Sequence, residues 1–135
     1  LPTRRFLRVV VFSACRSGVQ DILSAKKELD GFLFDALRHG AAMVIGFLWE
    51  VPDASACVLL SKFYESYFRG ESPARALRDA QLWTRDITYS ELLRYLDETG
   101  IKDEVISALH DLGLEPDDQL FCDPVFWAGA ICVGA

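Results

Sequence analysis

A cysteine at the end of an apolar run is the residue best placed to do chemistry. The run Val9 to Phe12 is followed at once by Ser13, Ala14 and Cys15. A thiolate is a nucleophile, and α/β folds commonly place their reactive groups just past the carboxyl end of a parallel strand, where the strand holds them and the adjoining loop admits substrate. The pattern therefore indicates Cys15 as a candidate nucleophile.

The other three cysteines give a different expectation. Cys57, Cys122 and Cys132 are widely and irregularly spaced among apolar neighbours, which is typical of neither a metal cluster nor a disulfide scaffold. We predict that they are small buried hydrophobic residues. We also expect a reducing, cytoplasmic compartment, with no metal ion and no other cofactor.

The elements around Cys15 resemble a strand–helix–strand unit. Arg4 to Phe12 predicts a buried strand that leads to Cys15, and Arg16 to Lys27 predicts a loop. A helix is indicated by apolar spacing at Leu29, Phe32, Leu33, Ala36 and Leu37 and ends at Gly40. Ala41 to Leu48 is the next apolar run, so the unit is a parallel crossover.

Helices follow this unit. Asp53 is predicted to cap a helix whose inner face carries Ala56, Leu60, Phe63 and Tyr67 and which ends at Gly70. Ser72 and Pro73 begin another helix that runs to about Arg85. Its inner face is expected to carry Ala76, Leu77, Ala80 and Trp83.

The remaining segment predicts an insertion and a last strand. Tyr89 to Leu112 indicates two short helices divided at Gly100, within a helical insertion of about residues 89–121. Val125 to Val133 predicts the final strand. Residues 1–135 are therefore expected to belong to one domain.

Charge and hydropathy exclude two classes of partner. The net charge of −6 and isoelectric point near 4.8 oppose direct binding of nucleic acid. The longest apolar runs fall short of the about 20 residues that a membrane-spanning helix needs. We expect neither a nucleic acid nor a membrane partner.

Several blocks in order make the pattern specific. They are Val-Val-Val-Phe-Ser-Ala-Cys-Arg-Ser-Gly from Val9, Gly-Phe-Leu-Phe-Asp-Ala-Leu-Arg-His-Gly-Ala from Gly31, Ile-Gly-Phe-Leu-Trp-Glu-Val-Pro-Asp from Ile45, Phe63-Tyr64, Gly-Glu-Ser-Pro-Ala-Arg-Ala-Leu-Arg-Asp-Ala-Gln from Gly70, and Asp-Pro-Val-Phe-Trp-Ala-Gly from Asp123. This sequence resembles the CHAT family of caspase-like cysteine proteases. The likeness covers most of the chain outside the insertion.

The resemblance implies a fold and an activity. The fold is an α/β, caspase-like three-layer architecture with a mostly parallel sheet flanked by helices, and the chain would hold its C-terminal portion, about three strands. The activity is that of a cysteine endopeptidase with Cys15 as nucleophile. An extended peptide would lie beside the strand that ends near Trp49, with Trp49, Glu50 and Ser13 close to it.

A base is needed, because only a few per cent of an unperturbed thiol is ionised at neutral pH. The resemblance places that histidine before the cysteine, in a His-Gly pair, whereas only 14 residues precede Cys15. His39 stands at a helix end, where an imidazole can cap carbonyls, and His110 lies in the insertion. We therefore expect the catalytic histidine to be absent from this chain and the chain to be inactive by itself.

Because the base is expected to be absent from this chain, we expect other parts of the protein to complete the site. The first half of the protease domain would carry the histidine and pair with a bare, apolar strand edge left by the three strands. Helical-repeat or sensor domains would regulate the activity, and the substrate would be a protein or peptide. The alternative is a catalytically incomplete, caspase-like interaction domain, a pseudoprotease or scaffold.

The sequence also indicates which substrate residue would be preferred at the cleaved position. Caspases read an acidic substrate residue with arginines, and Glu50 occupies the position of one of them, which favours a Lys or Arg at the cleaved position. Glu50 can equally be a solvated loop residue, and Trp49 can be core or a pocket wall. Ser13 matches a pocket-lining position, or it satisfies backbone groups at the strand end.

Overall fold

A computed structural model describes residues 9–11, 31–100 and 103–134 of the chain, without the side chains at 103–105 and 108. Ser13, Cys15 and the predicted loop after them lie outside the described residues, as does the start of the first predicted strand. The described elements, in chain order, are β1 (Val9–Val11), α1 (helical residues 31–38), β2 (Met43–Phe47), α2 (Asp53–Phe68), α3 (Pro73–Asp86), α4 (Tyr89–Thr99), α5 (Asp103–His110), a 3₁₀ turn (Pro124–Phe126) and β3 (Ala130–Gly134).

The sheet in the described residues has the order β1-β2-β3. β1 and β2 are parallel, with Val11 opposite Ile45, which confirms the predicted crossover. β3 is antiparallel to β2, with Ala130 opposite Phe47. The carboxyl ends of β1 and β2 and the amino end of β3 therefore meet at one edge of the sheet, which we call the carboxyl edge.

Helices cover both faces of the sheet, so the predicted α/β, three-layer class is confirmed. On one face, Leu33 and Ala41 cluster with Val44, and Ala36 and Leu37 of α1 pack against this cluster. On the other face, Ile45 and Ala130 form a core with residues of α2 and α3, listed as Leu59, Phe63, Ala76, Leu77 and Ala80. No helix in the described part of the chain is both long and apolar enough to cross a bilayer.

The two outer strands each keep one edge without a strand partner among the described residues. β1 and β3 both hydrogen-bond to β2. Their sequences are Val-Val-Val and Ala-Ile-Cys-Val-Gly, with no charged side chain. Such edges carry open N–H and C=O groups that another strand can pair with.

The predicted cap residue is correct for α3 and wrong for α2. Ser72 caps α3 by accepting a hydrogen bond from the Arg75 N–H at 3.4 Å. Asp53 is not the cap of α2, and that prediction was wrong: Pro52 holds the cap position and Asp53 is the first helical residue. The Pro52 carbonyl accepts the first helical hydrogen bond, from the Ala56 N–H at 3.0 Å, which moves the aspartate inward by one position. Its carboxylate still lies at the positive end of the helix dipole.

The predicted helix pair is present and is joined to the rest of the fold. Thr88 forms a capping box with Glu91 at the start of α4, and Gly100 ends it with φ 67°. Leu92 and Leu96 are fully buried in a second cluster that also includes Val58 of α2. The pair thus shares a core with α2.

The predicted last strand begins later than expected. Val125 lies in a 3₁₀ turn, and β3 starts at Ala130. The Asp123 carboxylate accepts a hydrogen bond from the Val125 N–H at 2.9 Å, and Pro124 has no N–H for a strand ladder. Both features favour a turn, so the strand assignment for Val125 to Gly129 was wrong.

Two phenylalanines on α2 test where the core lies. Phe63 is fully buried, whereas Phe68 is 78% exposed. We expect Phe63→Ala to lower the free energy of unfolding by about 3–5 kcal/mol, because it leaves a cavity. Phe68→Ala, the matched control, should change it by less than about 0.5 kcal/mol in the same chemical denaturation. Equal losses would contradict the position of this core.

Candidate functional site

The segment that leaves β2 is held in place at the carboxyl edge. The Leu48 N–H donates to the Gly129 carbonyl at 2.8 Å. The Trp49 Nε1–H donates to the Val125 carbonyl at 2.9 Å. Trp49 is 40% exposed, so one part of its indole is packed and the other faces solvent. Trp49 is therefore not a fully buried core residue.

Residues 123–129, which we call the closing segment, supply both of those carbonyl groups. Gln81 of α3 donates from Nε2 to the Trp127 carbonyl and to the Ala130 carbonyl, each at 2.9 Å. The Trp127 Nε1–H donates to the Cys122 carbonyl at 3.2 Å. Separate hydrogen bonds therefore hold the closing segment to α3 and to residues 48 and 49, which follow β2.

Two carboxylates follow Trp49. Glu50 is exposed, and Glu50 and Asp53 line one shallow pocket together with Val51 and Pro52. Four consecutive residues thus carry two carboxyl groups on a concave surface. A concave acidic surface attracts a cationic side chain.

Both histidines have structural contacts. The His39 Nδ1 lies 2.7 Å from the Asp35 carbonyl at the end of α1, which is the capping contact expected from the sequence. His39 precedes β2 and so lies at the end of that strand away from the carboxyl edge. The strand is about 16 Å long. The His110 Nδ1 lies 3.1 Å from the Tyr89 hydroxyl, in the part of the fold formed by α4 and α5.

The cysteines differ from expectation in their burial. Cys57 and Cys122 are exposed, and Cys132 is half-buried, so the prediction that all three are buried was wrong. Cys57 lies on a side of α2 that neither core cluster covers, and Cys122 precedes the exposed turn of the closing segment. Burial raises the pKa of the Cys132 thiol, so this thiol stays protonated at neutral pH.

A comparison with protein families decides the family. The model described as the CHAT domain matches residues 1–135. The chain belongs to the CHAT domain family. CHAT domains are caspase-like, and the family is related to cysteine proteases. Searches of curated proteins and of solved structures found no match.

In this CHAT domain, two of the predicted site residues are described and lie together. Trp49 and Glu50 leave β2 at the carboxyl edge, next to the closing segment. Ser13 and Cys15 lie outside the described residues. No cluster of three or more potential metal ligands occurs among the side chains that the structure describes.

Sequence reasoning missed the residues that hold the site. Gln81 and Gly129 were not singled out, although both stand inside the blocks that resemble the family. A glutamine on a helix gives no local signal, because its two acceptors are 46 and 49 residues away. Gly129 contacts Leu48 and Trp49, which follow β2 and lie about 80 residues earlier in the chain, so only the fold brings these residues together.

Gln81 provides a test of how firmly the closing segment is held. Gln81→Leu removes both hydrogen bonds and leaves two carbonyls unpaired, so we expect a loss of about 2 kcal/mol in unfolding free energy. Gln119→Leu is the matched control, because exposed Gln119 makes one hydrogen bond, at 3.1 Å, to the Asp86 carbonyl. It should cost less than about 1 kcal/mol. A larger loss for Gln119→Leu in the same denaturation would contradict the role given to Gln81.

Proposed function

We propose that this CHAT domain acts as a cysteine endopeptidase with Cys15 as its nucleophile. The observation that carries the proposal is the parallel register of β1 and β2, with Val11 opposite Ile45. Cys15 follows Val11 by four residues, so covalent geometry limits their Cα separation to about 14 Å. Trp49 and Glu50 leave β2 at the same edge. Nucleophile and peptide wall would therefore meet at the carboxyl edge.

The chemical step needs a thiolate and a base. An imidazole takes the proton of Cys15, and the sulfur attacks the scissile carbonyl to form a C–S bond. The C–N bond then breaks, the leaving amine takes the proton, and water hydrolyses the thioester. His39 lies before β2, at the end of that strand away from the carboxyl edge, and residues 1–14, where the resemblance would place the catalytic histidine ahead of Cys15, contain none; both observations support a base from outside this chain.

The peptide would bind past the end of β2. Both edges of β2 are already occupied, one by β1 and the other by β3. Backbone pairing with a substrate therefore falls to residues 48–50, where the Leu48 N–H is already taken by Gly129. The side chain of Trp49 would support one face of the extended peptide, and Glu50 would lie near the cleaved position.

The remainder of the protease domain is a proposed partner. The outer edge of β1 is apolar, and no other described strand pairs with it, which supports docking of a further strand that brings the histidine. Helical-repeat or sensor domains would control the assembled enzyme. The described cysteines are free thiols, which supports a reducing, cytoplasmic location.

Covalent labelling tests the nucleophile. The intact protein is incubated with a peptide that carries a thiol-reactive carbonyl warhead, and the adduct is located by mass spectrometry. We expect the adduct on Cys15, and Cys15→Ala should abolish both labelling and peptide cleavage, because thiolate attack is the covalent step.

The exposed thiols provide the controls for that experiment. Cys57→Ala and Cys122→Ala should leave labelling of Cys15 and cleavage unchanged, since the proposal gives neither of these exposed thiols a role in the reaction. An adduct that persists in Cys15→Ala, or that forms on Cys57 and Cys122 alone, would refute Cys15 as nucleophile. A folded protein with no adduct at Cys15 would favour the non-catalytic interaction domain.

Charge substitution tests specificity. Glu50→Gln should lower kcat/KM by about 2- to 5-fold for peptides with Arg at the cleaved position, because an exposed ion pair contributes about 0.5–1 kcal/mol. A matched peptide with uncharged citrulline should be unaffected, and the difference should shrink as salt is added. Glu98→Gln on α4 makes the same change in net charge and should not alter the preference. Equal losses for both peptides would exclude a role for Glu50 in recognising the basic residue.

A further inference from the structure

Gly129 lies directly beneath the indole of Trp49. A Cβ atom built at Gly129 would stand 2.7 Å from Trp49 Cε2, 2.9 Å from Cδ2 and 3.0 Å from Nε1. Real Cβ atoms essentially never approach another heavy atom closer than 3.0 Å. An alanine at this position therefore cannot coexist with the present orientation of the ring.

Backbone conformation does not account for the glycine. Positive φ angles occur at other described glycines, such as Gly70 and Gly100, and not at Gly129. An alanine could adopt the backbone of Gly129 without strain. The space taken by the indole is thus the physical reason why a side chain does not fit.

The ring has little freedom to move away. The nearest ring atom would have to move from 2.7 Å to 3.4 Å to restore an ordinary contact, and that movement would lengthen or bend the 2.9 Å hydrogen bond from Nε1 to the Val125 carbonyl. The backbone of Gly129 is held as well, because its carbonyl accepts from the Leu48 N–H at 2.8 Å. Gln81 holds the residues on either side, through the carbonyls of Trp127 and Ala130.

We propose that Gly129 is a positioning residue that sets the orientation of Trp49 and, through it, the affinity of the carboxyl edge for an extended peptide. The effect on peptide affinity rests on the function proposed above. The orientation of the indole does not rest on it, because it follows from packing and from two hydrogen bonds. Gly129 itself touches no substrate in this scheme, and it acts through Trp49.

Gly129→Ala tests the proposal in the intact protein. With 5-fluorotryptophan incorporated, the ¹⁹F resonance of Trp49, assigned by its loss in Trp49→Phe, should shift. KM for a cleaved peptide should rise by about 3- to 10-fold while kcat stays within about 2-fold, because overpacking displaces the wall and not the nucleophile. A general loss of structure would instead lower the active fraction and kcat, without raising KM.

A matched glycine and a double substitution complete the design. Gly31→Ala is the control, because no atom lies within 4 Å of a Cβ built there, and it should leave the resonance and KM unchanged. In a Trp49→Ala background, adding Gly129→Ala should have no further effect on KM, since the clashing ring is gone. If Gly129→Ala alone does not fold, recovery of the fold in the double variant supports the proposal, and continued failure overturns it.

The outcomes separate this proposal from the proteolytic function. Normal labelling of Cys15 together with an unchanged Trp49 resonance and KM in Gly129→Ala overturns the positioning role and leaves the protease intact. A shifted resonance without peptide cleavage in any variant refutes proteolysis, and it supports the control of Trp49 by Gly129. A rise in KM that is additive with Trp49→Ala overturns the proposal, because the two residues would then act independently.

Discussion

The parallel pairing of β1 with β2 is the constraint on which the rest of the arrangement depends. Parallel strands bring their carboxyl ends to one edge of a sheet, so β1 and β2 both end at the carboxyl edge. A crossover helix, α1, is the physical requirement for that pairing, and it buries Leu33 against the sheet. The site proposed above would consist of residues that leave the sheet at this shared edge.

The antiparallel strand adds the second half of the site. β3 runs opposite to β2, so the residues that precede it arrive at the same carboxyl edge. Those residues form a turn with two carbonyl groups directed at the β2 extension, one from Val125 and one from Gly129. Hydrogen bonds between segments about 80 residues apart thereby hold a half-exposed indole in one place. In the proposed peptide site, an indole that is already held in place would reduce the conformational entropy lost when a peptide binds.

The helices α4 and α5 contribute stability, and the contact of His110 lies within this pair. α4 and α5 bury Leu92, Leu96 and Leu109 in a cluster separate from the one beneath the sheet. His110 uses its ring nitrogen on the Tyr89 hydroxyl in that region, and His39 uses its own on a helix carbonyl. Each imidazole therefore has a structural contact through its Nδ1 atom.

The amino-acid sequence alone determined the order and type of the elements, because β-branched runs, helical spacing and Gly or Ser-Pro boundaries are local signals. It also determined the family, through blocks such as that around Trp49. The Pro52 cap of α2 and the turn at Val125 rest on hydrogen bonds within four residues of the chain, so they are local features that the spacing of apolar residues does not report. Tertiary structure decided that Gln81 holds the closing segment and that Gly129 holds Leu48, because these contacts join residues distant in the chain and exist only once the sheet has formed.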